Sequence, residues 1–229
     1  MMADEEIDYM PTYEGLRLKI LEYKRLHFAK QRRAELKQTD FTIITNNFWD
    51  GMIYESYDLP KETPTVEMFF MASDYIRFLQ RLREYITGGH LTFINPQDSR
   101  WKEEVSGDKR FGSYPVGVLK LDETDPGVEI FFLHYKDQQQ AREKWQRRCS
   151  RVNWNKLIIK FNDQNGCTEE DVKNFADLPY KNKLFFTIGG GEYSKYADSR
   201  LKVVKIPQIL EKNLSLPVMN HSERIDILT

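Results

Sequence analysis

The sequence predicts an α/β domain, a mixed or mostly parallel sheet flanked by helices, preceded by a basic amphipathic helix. Three observations predict it. Short β-branched and aromatic runs end at Asn, Asp or Gly; the segments between them carry apolar residues at helical spacing; and strand-helix-strand order repeats over the second half of the chain. At 229 residues, 40% hydrophobic and 30% charged, the chain is long enough to bury a sizeable core, and one domain with extensions accounts for it. Lys plus Arg (34) nearly cancels Asp plus Glu (35), so no global field draws the protein to nucleic acid and no such partner is expected.

Residues 1–11 read as a loose acidic arm ending at Pro11. Over residues 12–37, Tyr13, Leu16, Ile20 and Tyr23 recur at three- and four-residue intervals, which places them on one side of a helix. Eight Lys or Arg against three Glu make that helix basic. It suits either a solvated face on a helix packed against the domain or attachment to an anionic surface, the inner membrane leaflet or a phosphate-bearing substrate carrier.

The α/β domain is expected over residues 38–210, with 211–229 as a tail. Phe41 to Thr45 (FTIIT) is a strand that ends at Asn46 and Asn47, and TVEMFFM (65–71) is a second apolar run. Ser73 and Asp74 offer helix caps before YIRFLQRLREYI, where Tyr75, Phe78, Leu79, Leu82 and Ile86 share a face, and Gly88 and Gly89 end that helix. HLTFIN returns to strand. PVGVLKL, the turn-rich DETDPG and VEIFFLHY together read as a hairpin or two adjacent strands. DQQQAREKWQRRCSRV is rich in good helix formers, LIIKF is an apolar strand, and TEEDVKNFADL opens with a capping-box pattern from Thr168 to Asp171. Residues 183–187 and 201–206 are the last strands, with a glycine-rich connector between them.

Ligands of open α/β sheets usually lie beyond the carboxyl ends of the strands, and that rule ranks the candidate residues. Asn46, Asn47, Trp49 and Asp50 follow the first strand, where paired amides beside an indole suit a sugar or nucleotide; an Asx-turn with a core Trp is the plainer alternative. His134 ends VEIFFLHY, as an acid-base group or a structural histidine. Asp163, in Asn-Asp-Gln-Asn-Gly ahead of a helix N-terminus, is the best-placed acidic group. Its surroundings are similar in outline to the Asp-x-Asp motifs of haloacid-dehalogenase-type phosphatases and of nucleotide-sugar glycosyltransferases, but Asn165 stands where the second carboxylate belongs. Arg147 and Arg151 share a helix face near Trp145 and Trp154 and can meet one anionic ligand, while Arg148 turns away from them.

Cys149 and Cys167 have neither metal-ligand spacing nor the density of a disulfide scaffold, and no base is evident beside either. No metal set or cofactor is indicated. The N-terminus lacks a secretory pattern, and no stretch approaches the roughly eighteen apolar residues of a membrane span. The expected location is cytoplasmic, peripheral to the inner face of the cell membrane.

FTIITNNFWDGMIYESYDLPKETPTVEMFFMASDYIRFL, YPVGVL, VEIFFLHYKDQQQAREKWQRRCSRVNW and LIIKFNDQNGCTEEDVKNFADLPYKNKLFFT, in that order, resemble the bacterial family of domain of unknown function nineteen-nineteen. Its members are often described as exopolysaccharide or capsular polysaccharide biosynthesis proteins. The resemblance implies an α/β fold and a surface-polysaccharide context. Thr45, Asn46, Asn47, Trp49 and Gly51 keep the family's first block; Phe48 and Asp50 depart from it, and Phe48 removes the cysteine that stands there in the family. Asp163, Gly166, Cys167 and Thr168 keep the later block, and Gln164 and Asn165 do not. The function expected is a transferase acting on a glycan or a nucleotide-activated donor. The alternatives are a non-catalytic scaffold of glycan assembly and a metal-dependent phosphohydrolase.

Overall fold

The computed structural model describes residues 19–20, 23–187 and 192–205. The acidic arm, the start of the basic helix, the run Gly189 to Gly191 and the tail 211–229 lie outside the described residues. The fold is α/β, with two sheets. β1 (Thr42–Thr45), β5 (Leu157–Asn162), β6 (Lys183–Thr187) and β7 (Leu201–Lys205) form a four-stranded sheet in that order, every neighbour parallel. β2 (His90–Ile94), β3 (Val116–Lys120) and β4 (Val128–Phe131) form an antiparallel meander, in which the hairpin read from PVGVLKL and VEIFFLHY is β3–β4.

The central strands of the parallel sheet are buried on both faces, as a sheet covered by helices on each side requires. Alternate residues go to opposite cores. Ile44, Ile159, Phe161 and Phe185 point toward α3 (Ala72–Gln80), α6 (Gln138–Cys149) and α7 (Glu169–Asp177), within the cluster that holds Tyr75, Phe78, Trp145 and Phe175. Ile43, Ile158, Leu184 and Phe186 point the other way, onto α2 (Trp49–Ser56). Ahead of β1, residues 23–27 are helical and α1 (Ala29–Ala34) follows a turn at Phe28; the short α5 (Lys102–Val105) lies between β2 and β3.

Three local departures from the sequence reading have physical causes. The run 65–71 is not a ladder strand: Glu67 sits at φ 66°, in the left-handed region, and only Phe69 bridges the meander, to Phe131. The helix after it starts at Ala72, with Asp74 buried in its first turn and no side-chain cap. It also breaks at Arg81 into α3 and α4 (Leu82–Gly88), where the Tyr180 hydroxyl takes the Leu79 carbonyl at 2.5 Å. Gly89 then turns the chain into β2, and a Cβ there would stand 2.4 Å from the Tyr85 carbonyl oxygen, so no larger residue fits without backbone movement.

The capping box of α7 forms as read. Thr168 Oγ1 accepts the Asp171 N–H at 3.2 Å, and Asp171 Oδ2 accepts the Thr168 N–H at 2.9 Å. Thr168→Ala is expected to cost about 1 kcal/mol in urea unfolding, the usual worth of such a cap. A cost below a few tenths would show that α7 is held by packing alone.

Candidate functional site

Because β1 and β5 are parallel neighbours, the loops that leave their carboxyl ends lie side by side. Asn46 donates through Nδ2 to Asn162 Oδ1 at 2.5 Å, and Asn162 donates through Nδ2 to Gln164 Oε1 at 2.6 Å. The two amide-rich loops are thereby one structure. Asp163 adds a third strand end, its Oδ2 accepting the Thr187 hydroxyl of β6 at 2.5 Å.

Beneath this layer is a residue the sequence reading passed over. Lys160 stands opposite Thr45 in the sheet, on the face that looks toward α2, and is 1% exposed. In the middle of a strand covered on both faces, the lysine is withdrawn from bulk water. Its Nζ donates to Asn47 Oδ1 at 2.9 Å and lies 5.3 Å from the centre of the Phe186 ring. Burial pushes its amine down to about 7, an effect moderated by the carboxylates of Asp50 and Asp163.

Asp50, in the first turn of α2, is fully buried. Its Oδ1 accepts the Gly51 N–H at 2.7 Å, and its Oδ2 accepts the Thr65 hydroxyl at 2.6 Å. Thr65 Oγ1 in turn accepts the Thr45 N–H at 3.2 Å, which ties the carboxyl to the end of β1. Loss of water pushes the Asp50 carboxyl up to about 6, against those hydrogen bonds and the positive fields of Arg148 and Lys160. An acid raised and a base lowered toward the same pH, in one desolvated cluster, is the arrangement that acid-base sites are built from.

The other sequence candidates take different places. Trp49 is 3% exposed, with its ring edge-to-face against Phe186 at 5.3 Å, so the indole is a core group and presents no stacking plane to a ligand. Asn47 is half-buried and is the outermost polar side chain of its loop that touches Lys160. His134 is exposed in the turn after β4, its ring packed edge-on against Phe48 at 5.0 Å. The structure therefore ties Asn46 to the Asn162 loop, sets Asn47 on Lys160 with Asp50 and Asp163 near enough to act on its charge, and leaves His134 on the flank of Phe48.

Arg147 and Arg151 are both exposed. Arg148 is the buried arginine: its Nη1 donates to the Tyr135 hydroxyl at 2.5 Å and to the Val66 carbonyl at 3.2 Å, and its Nη2 lies 3.7 Å from Glu67 Oε2. Its field also acts on Asp50. Trp145, also buried, is three residues earlier on the same helix face. The cysteines are poor nucleophiles, since burial pushes both thiols up to about 12. Among the described residues no group of three or more His, Cys, Asp or Glu side chains is placed to hold a metal ion. Amides, hydroxyls, two carboxyls and one amine make up the cluster, a donor set suited to an oxygen-rich organic ligand.

A family model described as "Domain of unknown function (DUF1919)" matches residues 19–209 of this chain. An uncharacterized protein of Haemophilus influenzae is 34% identical over 166 residues, which cover 72% of this chain and 70% of that protein.

Proposed function

We propose that this chain, which belongs to the DUF1919 family, is a transferase of surface-polysaccharide assembly whose acid-base centre is Asp50 with Lys160. The observation that carries the reading is the buried pair itself, a carboxyl raised to about 6 and an amine lowered to about 7 under the amide-lined carboxyl edge of a parallel sheet. A glycan hydroxyl that replaces Asn47 Oδ1 as the partner of Lys160 Nζ passes its proton to the neutral amine. The freed oxygen forms its new bond to the donor's activated carbon or phosphorus, the donor's bond to its phosphate breaks, and the electron pair leaves on the phosphate oxygen. The Lys160 ammonium so formed sits between Asp50, Asp163 and the departing anion, and returns its proton to solvent on product release. Asn47 and Asp163, both half-buried, bind the donor and hold it against that hydroxyl. The polysaccharide context comes from the family resemblance, and the reaction class from the site.

The test is a thermal-shift screen of the whole chain against nucleotide-sugars and nucleotide-activated polyol phosphates. One class is expected to raise Tm by roughly 5–10 °C at a hundredfold excess over its Kd, since that excess is worth about 2.7 kcal/mol. Asn47→Ala should weaken that ligand at least tenfold. If no class shifts Tm, or if Asn47→Ala binds as tightly as the natural chain, the reading is wrong.

A further inference from the structure

The four exposed large hydrophobic residues among the described residues fall within nine positions of one another: Ile20 is 46% exposed, Tyr23 65%, Leu26 51% and Phe28 46%. Sequence spacing alone would turn Ile20 and Tyr23 inward, as the apolar stripe of a surface helix. The structure does the reverse. The side that packs on the domain is made by Arg25, Ala29, Arg32 and Leu36. Arg25 Nη2 donates to Glu55 Oε2 at 3.2 Å, Ala29 is buried, and Arg32 Nε donates to the Ser56 carbonyl at 2.8 Å, all at the end of α2. Arg33 Nη1 adds a bond to the Asp58 carbonyl at 2.9 Å. Three arginine anchors to carbonyl and carboxylate oxygens fix which way the segment faces. Its aromatic rings are then left to associate with each other, Tyr23 stacked on His27 at 5.3 Å and His27 edge-on to Phe28 at 4.8 Å.

An outward face that carries the larger apolar and aromatic side chains, on a segment held inward mainly by arginines, departs from an ordinary surface helix and calls for a cover. The charges around it select one. Lys19, Lys24, Lys30 and Lys37 are exposed in the same segment, which over residues 19–37 carries seven Lys or Arg against two Glu. A second copy docked by two-fold symmetry would bring the same lysines face to face, a repulsive arrangement. An anionic lipid surface meets both needs, its headgroups taking the lysines and its interfacial zone the Tyr and Phe rings. We infer that residues 23–37 form a docking face for an anionic phospholipid bilayer, with Tyr23, Leu26 and Phe28 entering the interface and Lys24 and Lys30 meeting headgroup phosphates. The inference does not rest on the reading of the Asp50–Lys160 site.

The experiment is co-sedimentation of the whole chain with vesicles of phosphatidylglycerol and phosphatidylcholine in equal parts, and with vesicles of phosphatidylcholine alone. Binding is expected to the first and not the second, and to fall steeply between roughly 0.1 and 1 M salt as the Debye length shrinks from about 10 to about 3 Å. Lys24→Glu with Lys30→Glu should weaken it at least twentyfold, each basic residue near such a surface being worth roughly fivefold. Tyr23→Ser with Phe28→Ser should abolish it without changing Tm, since both side chains are exposed. Equal binding to both vesicles, or to neither, overturns the inference. So does self-association that Tyr23→Ser with Phe28→Ser removes in the absence of lipid, which would make a second copy the cover. Vesicle binding that appears only after deletion of residues 206–229 overturns it in favour of the chain's own tail. Lys160→Met should bind vesicles like the natural chain, so failure here and failure of the proposed transferase are separate results.

Discussion

Lys160→Met is expected to give a protein more stable than the natural chain near pH 6 that has lost every donor-dependent shift in Tm. The folded amine, near 7, lies below its ordinary 10.5, so between those values the unfolded chain holds a proton that the folded chain has released. Stability from this group therefore rises with pH from about 7 to 10.5, and is least below 7, where an ammonium must be kept buried. The gap corresponds to roughly 5 kcal/mol as an upper bound. Asp50 works in the opposite sense, its folded carboxyl near 6 lying above the ordinary 3.8, so its contribution is full below 3.8 and lost as pH rises through 6. Around neutrality both groups oppose folding, and their mutual attraction offsets part of the cost. Methionine fills the lysine's space without the charge, and Asp50, deprived of a favourable field, keeps its proton to higher pH.

The net gain for Lys160→Met near pH 6 should be about 1–3 kcal/mol, or roughly 3–10 °C in Tm for a chain of this size. Moving to pH 9 should shrink that advantage by roughly 2–3 kcal/mol, because the natural chain recovers stability as its amine no longer has to be charged. Urea unfolding of both proteins at the two pH values measures it. A variant less stable at pH 6, or one whose advantage does not change with pH, would make Lys160 a structural residue and remove the basis for an acid-base centre.

The layered α/β pattern was legible because it depends on local rules: runs of β-branched residues, glycine stops and the Thr168 cap all act within a few residues of themselves. The identity of Asn46, Asn47 and Asp163 as strand-end groups was legible for the same reason. What lay beyond the sequence was which side of each element faces inward. LIIKF reads as an apolar strand whose lysine could sit at a solvent-facing position, and only its place between β1 and β6, buried on both faces, turns Lys160 into a desolvated amine. Helical spacing correctly set Arg147 and Arg151 together and Arg148 apart, but it did not say which of the two faces was buried. Trp49 follows the same logic, being placed by its contact with Phe186, 137 positions away in sequence. The N-terminal segment is the sharpest instance, since its apolar period is real and its orientation is set by arginine anchors to α2 that no period reveals.

Asp74→Ala should be the most destabilising single substitution outside the hydrophobic cores, at roughly 3–5 kcal/mol, the range for breaking a buried ionic network by removing one partner. The carboxylate is 1% exposed in the first turn of α3. Its Oδ2 accepts the Trp101 indole N–H at 2.7 Å and the Glu129 N–H of β4 at 3.0 Å, and its Oδ1 lies 3.5 Å from both Arg77 Nη1 and Arg100 Nη2. Glu129 completes the set by accepting the Ser99 hydroxyl at 2.5 Å and the Arg100 N–H at 3.1 Å. Alanine leaves two buried N–H donors without an acceptor and two guanidiniums short of a counter-charge. The next residue, Tyr75, has its hydroxyl 2.9 Å from the carbonyl oxygens of Ile44 in β1 and Lys160 in β5, so α3 is the joint between the two sheets. Losing Asp74 frees only the meander's side of that joint. Tm should fall by roughly 6–20 °C, and amide exchange should accelerate in β4 before β5, while donor binding measured well below the new Tm persists. A loss under 1 kcal/mol would mean that the network is dispensable, and equal acceleration in β4 and β5 would mean that the two sheets open as one unit.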